Sequence, residues 1–152
     1  MNIEFLNEDK ATGRVTFLLK GATPAFANAM RRVMIESVPT MAIDTVELKE
    51  NGSILYDEII AHRLGMVPIR TDLKSYNLPA QCKCKDEGCA RCTLKMTLKA
   101  KGPCVVYASD IKSKDPKVKP VYGDMPIVKL LKGQELEIEA TATLGQGKQH
   151  VK

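Results

Sequence analysis

Apolar and polar positions first alternate in two short runs, IEFL (3–6) and RVTFLLKG (14–21), with the turn-rich NEDKATG between them. This pattern predicts a β-hairpin over the first twenty residues. The next segment changes period. In GATPAFANAMRRVMIESVPT, Thr23 is a good N-cap and Pro24 suits the first helical position. A helix is predicted from Pro24 to Ser37, because Val38 precedes Pro39 and is biased away from helical backbone. Phe26, Met30, Val33 and Ser37 form a core-type stripe. Asn28, Arg31, Arg32, Ile35 and Glu36 lie on the other side, and Arg32 and Glu36 are spaced to pair. Ile35 within the polar face favours a helix covered on both sides over one with a solvated face.

Further on, MAIDTVELKENGSILY (41–56) predicts a strand, a turn at Asn51-Gly52 and a return strand. DEIIAHRLGMVPI (57–69) predicts a short helix capped by Asp57 and ending near Gly65, since Pro68 prevents its extension. Glu58 and His62 share one side of it, Ile60 and Leu64 another. TLKMTLKAKG alternates as a half-buried strand, and VVYASDI is a further strand. A long polar connection, 111–126, leads to IVKLL and ELEIEATATLG, two strands around a Lys-Gly-Gln turn. The fold class expected is α+β, with a second half that is mostly β. No internal repeat or low-complexity tract interrupts it.

Composition adds bounds. The 152 residues are 44% hydrophobic and 27% charged, so one globular domain or two small ones are expected rather than disorder. Three Phe, four Tyr and no Trp make the core mainly aliphatic. No apolar run is long enough to span a membrane, and MNIEFLNEDK lacks a signal-peptide pattern, so a cytoplasmic location is expected (nuclear in a eukaryotic source). The net charge of +5, from 23 basic and 18 acidic side chains, is scattered apart from clusters at 112–119 and 148–152. That favours solvated surface over direct DNA contact, which usually needs a denser stripe.

Four of five cysteines fall within CKCKDEGCARC: Cys82, Cys84, Cys89 and Cys92. Structural zinc takes four tetrahedral Cys or His ligands, often as short-spaced pairs, and Gly88 helps the loop fold back. The cofactor expected is structural zinc. An iron–sulfur cluster, disulfides or free thiols stay open as weaker readings. A catalytic zinc is disfavoured, because it needs an open position. The loop differs from a DNA-reading finger, since no helix separates the pairs. An independent zinc-bearing nucleic-acid module using Lys83, Lys85 and Arg91 is nonetheless the alternative function, and a thiol redox protein a third. Cys104 reads as an inert small residue. His62 and His150 have no nucleophile motif beside them. GQGKQH (145–150) lacks the upstream glycine and the Ser/Thr of a phosphate loop.

FANAMRRVMIESVPTMAIDTVELKENGSILYDEIIAHRLGMVPI (26–69), GDMPIVKL (123–130) and LGQGKQHVK (144–152) together closely resemble the α-like subunits of multisubunit RNA polymerases. This family comprises the archaeal α-like subunits, the N-terminal domain of bacterial α and the eukaryotic α-like third subunit. The four-cysteine loop resembles the zinc loop of its eukaryotic members. The resemblance implies a dimerisation domain with an inserted, mainly β domain. Residues 1–45 would be the N-terminal part of the first and 46–152 the insert. Members usually continue past GKQHVK into the rest of the dimerisation domain, which the resemblance implies is missing here. It implies pairing with a small α-like subunit, archaeal subunit L, and docking of two large catalytic subunits. The partner-binding residues would be Phe26, Asn28, Met30, Arg31, Arg32 and Ile35, with Asp57, Glu58, His62 and Arg63. DNA would be met only through the complex, no membrane is involved, and no catalysis resides in the chain.

Overall fold

A computed structural model describes residues 1–84 and 88–150. Lys85, Asp86 and Glu87 of the cysteine loop, and Val151 and Lys152, lie outside the described residues. The chain divides into two compact units, Met1–Val38 and Pro39–Lys152. Thr40–Asn51 is one continuous strand whose first residues already pair within the second unit.

The first unit is the expected hairpin and helix. β1 (Asn2–Asp9) pairs antiparallel with β2 (Arg14–Lys20), with Gly13 at φ 68° in the turn and a bulge between Phe5 and Asn7. Phe5 faces Phe17 with ring centroids 6.4 Å apart. α1 (Pro24–Glu36) starts where its chemistry directs: the Thr23 hydroxyl accepts the Phe26 N–H at 3.3 Å, and Pro24 opens the first turn. No residue of this unit is buried. The Phe26–Met30–Val33 stripe is therefore not a core within this unit: Phe26 is 42% and Val33 58% exposed, and Met30 only half-buried. A hairpin and one helix offer too little surface to enclose it.

The second unit holds the core. β3 (Thr40–Asn51), β8 (Glu135–Gly145), β4 (Thr93–Lys101) and β6 (Lys112–Ser113) form one antiparallel sheet in the order β3-β8-β4-β6. β5 (Cys104–Tyr107) and β7 (Pro126–Leu130) form a separate pair. The central strand β8 alternates strictly, with Leu136, Ile138, Ala140, Ala142 and Leu144 buried. On β4 Leu94, Met96 and Leu98 are buried. α2 (Asp57–Gly65) packs on β3 and β7 and inserts Ile60 and Leu64, at 0% and 1% exposure. The spacing-based assignment of that face is therefore correct.

Two local expectations change. Asn51-Gly52 is not a hairpin turn. β3 pairs with β8 instead, and the Gly52 N–H donates to the Glu135 carbonyl at 2.8 Å. No return strand forms over 53–56, where Ile54 and Tyr56 are 82% and 77% exposed. Asp57 does not cap α2: Tyr56 is the N-cap, without a side-chain bond, and Asp57 instead accepts from the Asn51 amide at 2.6 Å. The Lys-Gly-Gln turn, with Gly133 at φ 82°, joins two strands that belong to different sheets.

Candidate metal centre and docking surfaces

The cysteine loop is anchored on both sides. On one side a 3-10 turn, Pro79–Gln81, ends at Cys82, whose N–H donates to the Pro79 carbonyl at 3.0 Å. On the other, β4 begins at Thr93, directly after Cys92. The Cys89 carbonyl accepts from the N–H groups of Cys92 and Thr93 and from the Thr93 hydroxyl, at 3.0, 2.9 and 3.0 Å. Gly88 stands at φ 84°, a conformation that favours glycine. The Asn77 N–H donates to the Arg91 carbonyl at 2.8 Å and ties the two arms together.

This scaffold gathers all four thiols, whose sulfurs lie within 4.8 Å of one another. Cys82 to Cys89 is 3.5 Å, Cys84 to Cys92 is 3.4 Å and Cys89 to Cys92 is 3.6 Å. A disulfide needs about 2.05 Å between sulfurs, so these are four free thiols. Four thiolates at about 2.3 Å from one zinc ion stand roughly 3.8 Å apart as a tetrahedron, close to these separations. The cluster could hold a metal ion. The Cys89 N–H also points at the Cys92 sulfur, at 3.1 Å, a contact that supports a thiolate. The Arg91 backbone N–H, with the thiols of Cys82 and Cys92, holds the Cys89 thiol down at about 7. Burial pushes Cys92, 1% exposed, up to about 12. One thiol thus ionises readily while another requires a cation to do so.

The expected docking residues are distributed over both units. On α1, Asn28 Oδ1 accepts from Arg31 Nε and Nη2 at 3.2 and 3.0 Å, and Arg32 pairs with Glu36 at 3.3 Å. These short-range bonds hold both guanidiniums on the helix surface. Ile35 is 57% exposed beside them. On α2, Glu58 and His62 are exposed, and Asp57 is bonded to Asn51. Arg63 works within the unit, where its guanidinium donates to the Ile127 carbonyl and fixes α2 to β7.

The fold also joins groups that sequence spacing leaves apart. His62 and His150 line one cleft of about 240 Å³, with Ile43, Val46, Ala61 and Met66 among its walls. The Tyr76 hydroxyl, from a residue only 7% exposed, donates to Asp115 Oδ2 at 3.0 Å. An alternation pattern carries no signal for such a contact across 39 residues. Residues 146–150 form a turn after β8, the Gln149 N–H donating to the Gln146 carbonyl, which is no setting for a phosphate loop.

The family model of the RNA polymerase Rpb3/RpoA insert domain matches residues 41–152. The chain is 43% identical to DNA-directed RNA polymerase subunit Rpo3 of Methanosphaera stadtmanae, over 100% of the chain and 57% of that relative. It is 45% identical to Rpo3 of Archaeoglobus fulgidus, over 99% of the chain and 56% of the relative. With Rpo3 of Pyrococcus horikoshii the identity is 50%, over 94% of the chain and 53% of the relative. The chain thus spans somewhat over half the length of these curated relatives.

Proposed function

The chain belongs to the RNA polymerase Rpb3/RpoA insert-domain family, and from that premise we propose that it is a non-catalytic assembly platform of a DNA-directed RNA polymerase. It pairs with a small α-like subunit through the unit of β1, β2 and α1. It docks the two large catalytic subunits through the NAMRR helix and the DEIIAHRLG helix. The observation that carries this reading is the first unit itself. It has strand and helix geometry, yet Phe5, Val15, Phe17, Phe26, Val33 and Ile35 are each at least 40% exposed. A surface of that apolarity is an interface signature. Asn28, Arg31, Arg32, Glu58 and His62 add the charged and polar groups that give docking its specificity. Phe26, Met30 and Ile35 supply its apolar anchors. Asp57 and Arg63 act one step back, by holding the start and end of α2.

The four cysteines take zinc as a structural ion in this reading. Cys82, Cys84, Cys89 and Cys92 would each give one thiolate, closing the coordination shell and leaving no open position for catalysis. Four thiolates suit either group, and the sulfur spacing, which fits one ion, favours zinc over an iron–sulfur cluster. An independent nucleic-acid module is not favoured: the matched family and the named relatives are polymerase subunits, and Lys83 and Arg91 do not form a stripe.

Co-expression with the small α-like subunit, followed by size-exclusion chromatography, tests the platform. Co-elution is expected for the unaltered chain. Arg31→Glu with Arg32→Glu should keep that pairing and lose capture of the large subunits. Elution of the chain alone, with the small subunit folded and present, would sink the proposal.

A further inference from the structure

One strongly charged concavity of the second unit is built from residues outside the docking helices and the cysteine loop. Arg70, Lys74, Lys117 and Lys119 surround an open cleft of about 640 Å³, with Asp72 as its acidic member and exposed Leu73 on its wall. Runs of lysine are usually solvated and mobile. These are held. Val118, between Lys117 and Lys119, is 0% exposed in the core. Asp115 accepts from the Tyr76 hydroxyl and from the Lys117 N–H, at 3.0 and 2.9 Å. The Arg70 N–H donates to the Lys119 carbonyl at 2.9 Å, so the two cations stand on adjoining backbones. Asp72 is already committed to the Lys74 N–H, the Ser75 hydroxyl and Lys117. Those bonds hold its carboxyl below the usual carboxylate range. Arg70, Lys74 and Lys119 have no ion-pair partner among the described residues.

We infer that this cleft binds an acidic segment of a partner protein, its carboxylates on Arg70, Lys74 and Lys119 and an apolar side chain on Leu73. Charge complementarity selects the occupant. The anchored backbone fixes where the cations stand around the cleft. A protein segment fits better than nucleic acid. The cleft has a carboxylate, Asp72, and an exposed leucine among its lining residues and no aromatic side chain for bases to stack on.

The test uses the whole chain and a fluorescent peptide of glutamates around one leucine, read by anisotropy at low and moderate salt. A short single-stranded oligodeoxynucleotide of equal charge is run beside it. Saturable peptide binding that weakens with salt is expected. Arg70→Glu with Lys119→Glu should weaken it roughly ten-fold or more. Leu73→Ala should weaken it a few-fold, and Lys132→Glu, at an exposed turn outside the cleft, should leave it unchanged. Circular dichroism checks the fold of each variant, and Arg70→Gln with Lys119→Gln replaces the reversal if that variant does not fold. Three results overturn the inference. One is no binding at low salt, and another is equal weakening by Lys132→Glu, which would mark diffuse attraction. The third is tighter binding of the oligonucleotide through the same residues. None of these bears on assembly with the small α-like subunit.

Discussion

The phenol of Tyr76 is the clearest single titration in the second unit. Burial first, and then the hydrogen bond to Asp115, push it up to about 12. Its folded value lies above the ordinary tyrosine value, so the neutral phenol stabilises the fold. That contribution is complete below about pH 10 and is lost as pH rises from there toward 12. An ultraviolet titration should show one phenol ionising late, toward pH 12. Tyr76→Phe should abolish the late step and leave Asp115 without its hydroxyl donor, at a cost of about 1 kcal/mol in denaturant unfolding. At the cysteines, a chelator should release one metal ion per chain and expose four thiols together to a thiol reagent. Cys82→Ser with Cys84→Ser should lose the ion while the far-ultraviolet dichroism of the sheet persists. The buried cluster centred on Ile138, Met96 and Ile60 does not depend on the loop.

Among the elements, β3 and β8 share the longest strand pairing, and charged side chains on the face away from the core add to what their buried residues supply. Two bulges, at 43/45 and 48/50, keep Met41, Ile43, Val46 and Leu48 directed inward despite the extra residues. The register then sets Glu47 opposite Glu139 and Glu50 opposite Glu137, both unfavourable. Lys49, the residue left over by the second bulge, pairs with Glu139, while Lys99 and Lys101 pair with Glu137 and Glu135 at 2.6 and 2.8 Å. Lys49→Glu should therefore lower the melting temperature. These groups are exposed, so the effect should be largest at low salt and fade at high salt. In the core, Ile138→Ala removes a side chain 1% exposed on the central strand and should cost about 2–5 kcal/mol. Gly102→Ala should also be severe. A Cβ there would lie 2.0 Å from the Leu131 carbonyl oxygen, a backbone atom with little room to move.

At the scale of the whole molecule, the two units differ in how far they satisfy themselves. The second buries a continuous aliphatic cluster that draws on α2 and on strands of both its sheets. The first buries nothing. Hydrogen exchange on the chain alone should find β8 and β4 slow and β1, β2 and α1 fast. Addition of the small α-like subunit should slow the first unit selectively. Equal protection of the two units without a partner would contradict the assembly reading. Among the described residues no helix is long and apolar enough to cross a membrane.

Local chemistry was legible from the chain. The Thr23-Pro24 start of α1, the Arg32–Glu36 pair, the Ile60–Leu64 face of α2 and the alternation of β4 and β8 each rest on neighbours within a few residues. The four cysteines were legible as a group from their spacing, although eleven extended residues could span roughly 30 Å or more and only the folded loop brings their sulfurs within 4.8 Å. Longer-range pairing was not legible. Asn51-Gly52 carries a hairpin signal, but β8 competes for β3 with a long apolar face buried along β3 and β4, and that burial outweighs one turn preference. The stripe of α1 has core periodicity whatever covers it, so sequence pattern identified the apolar face and only the tertiary structure decided that the hairpin and helix by themselves leave it exposed. Tyr76 with Asp115 and Arg70 with Lys119 meet for the same reason, and His62 and His150 come to line one cleft. Side-chain type and spacing dictate the elements, whereas contacts between distant residues depend on how the sheets close around one core.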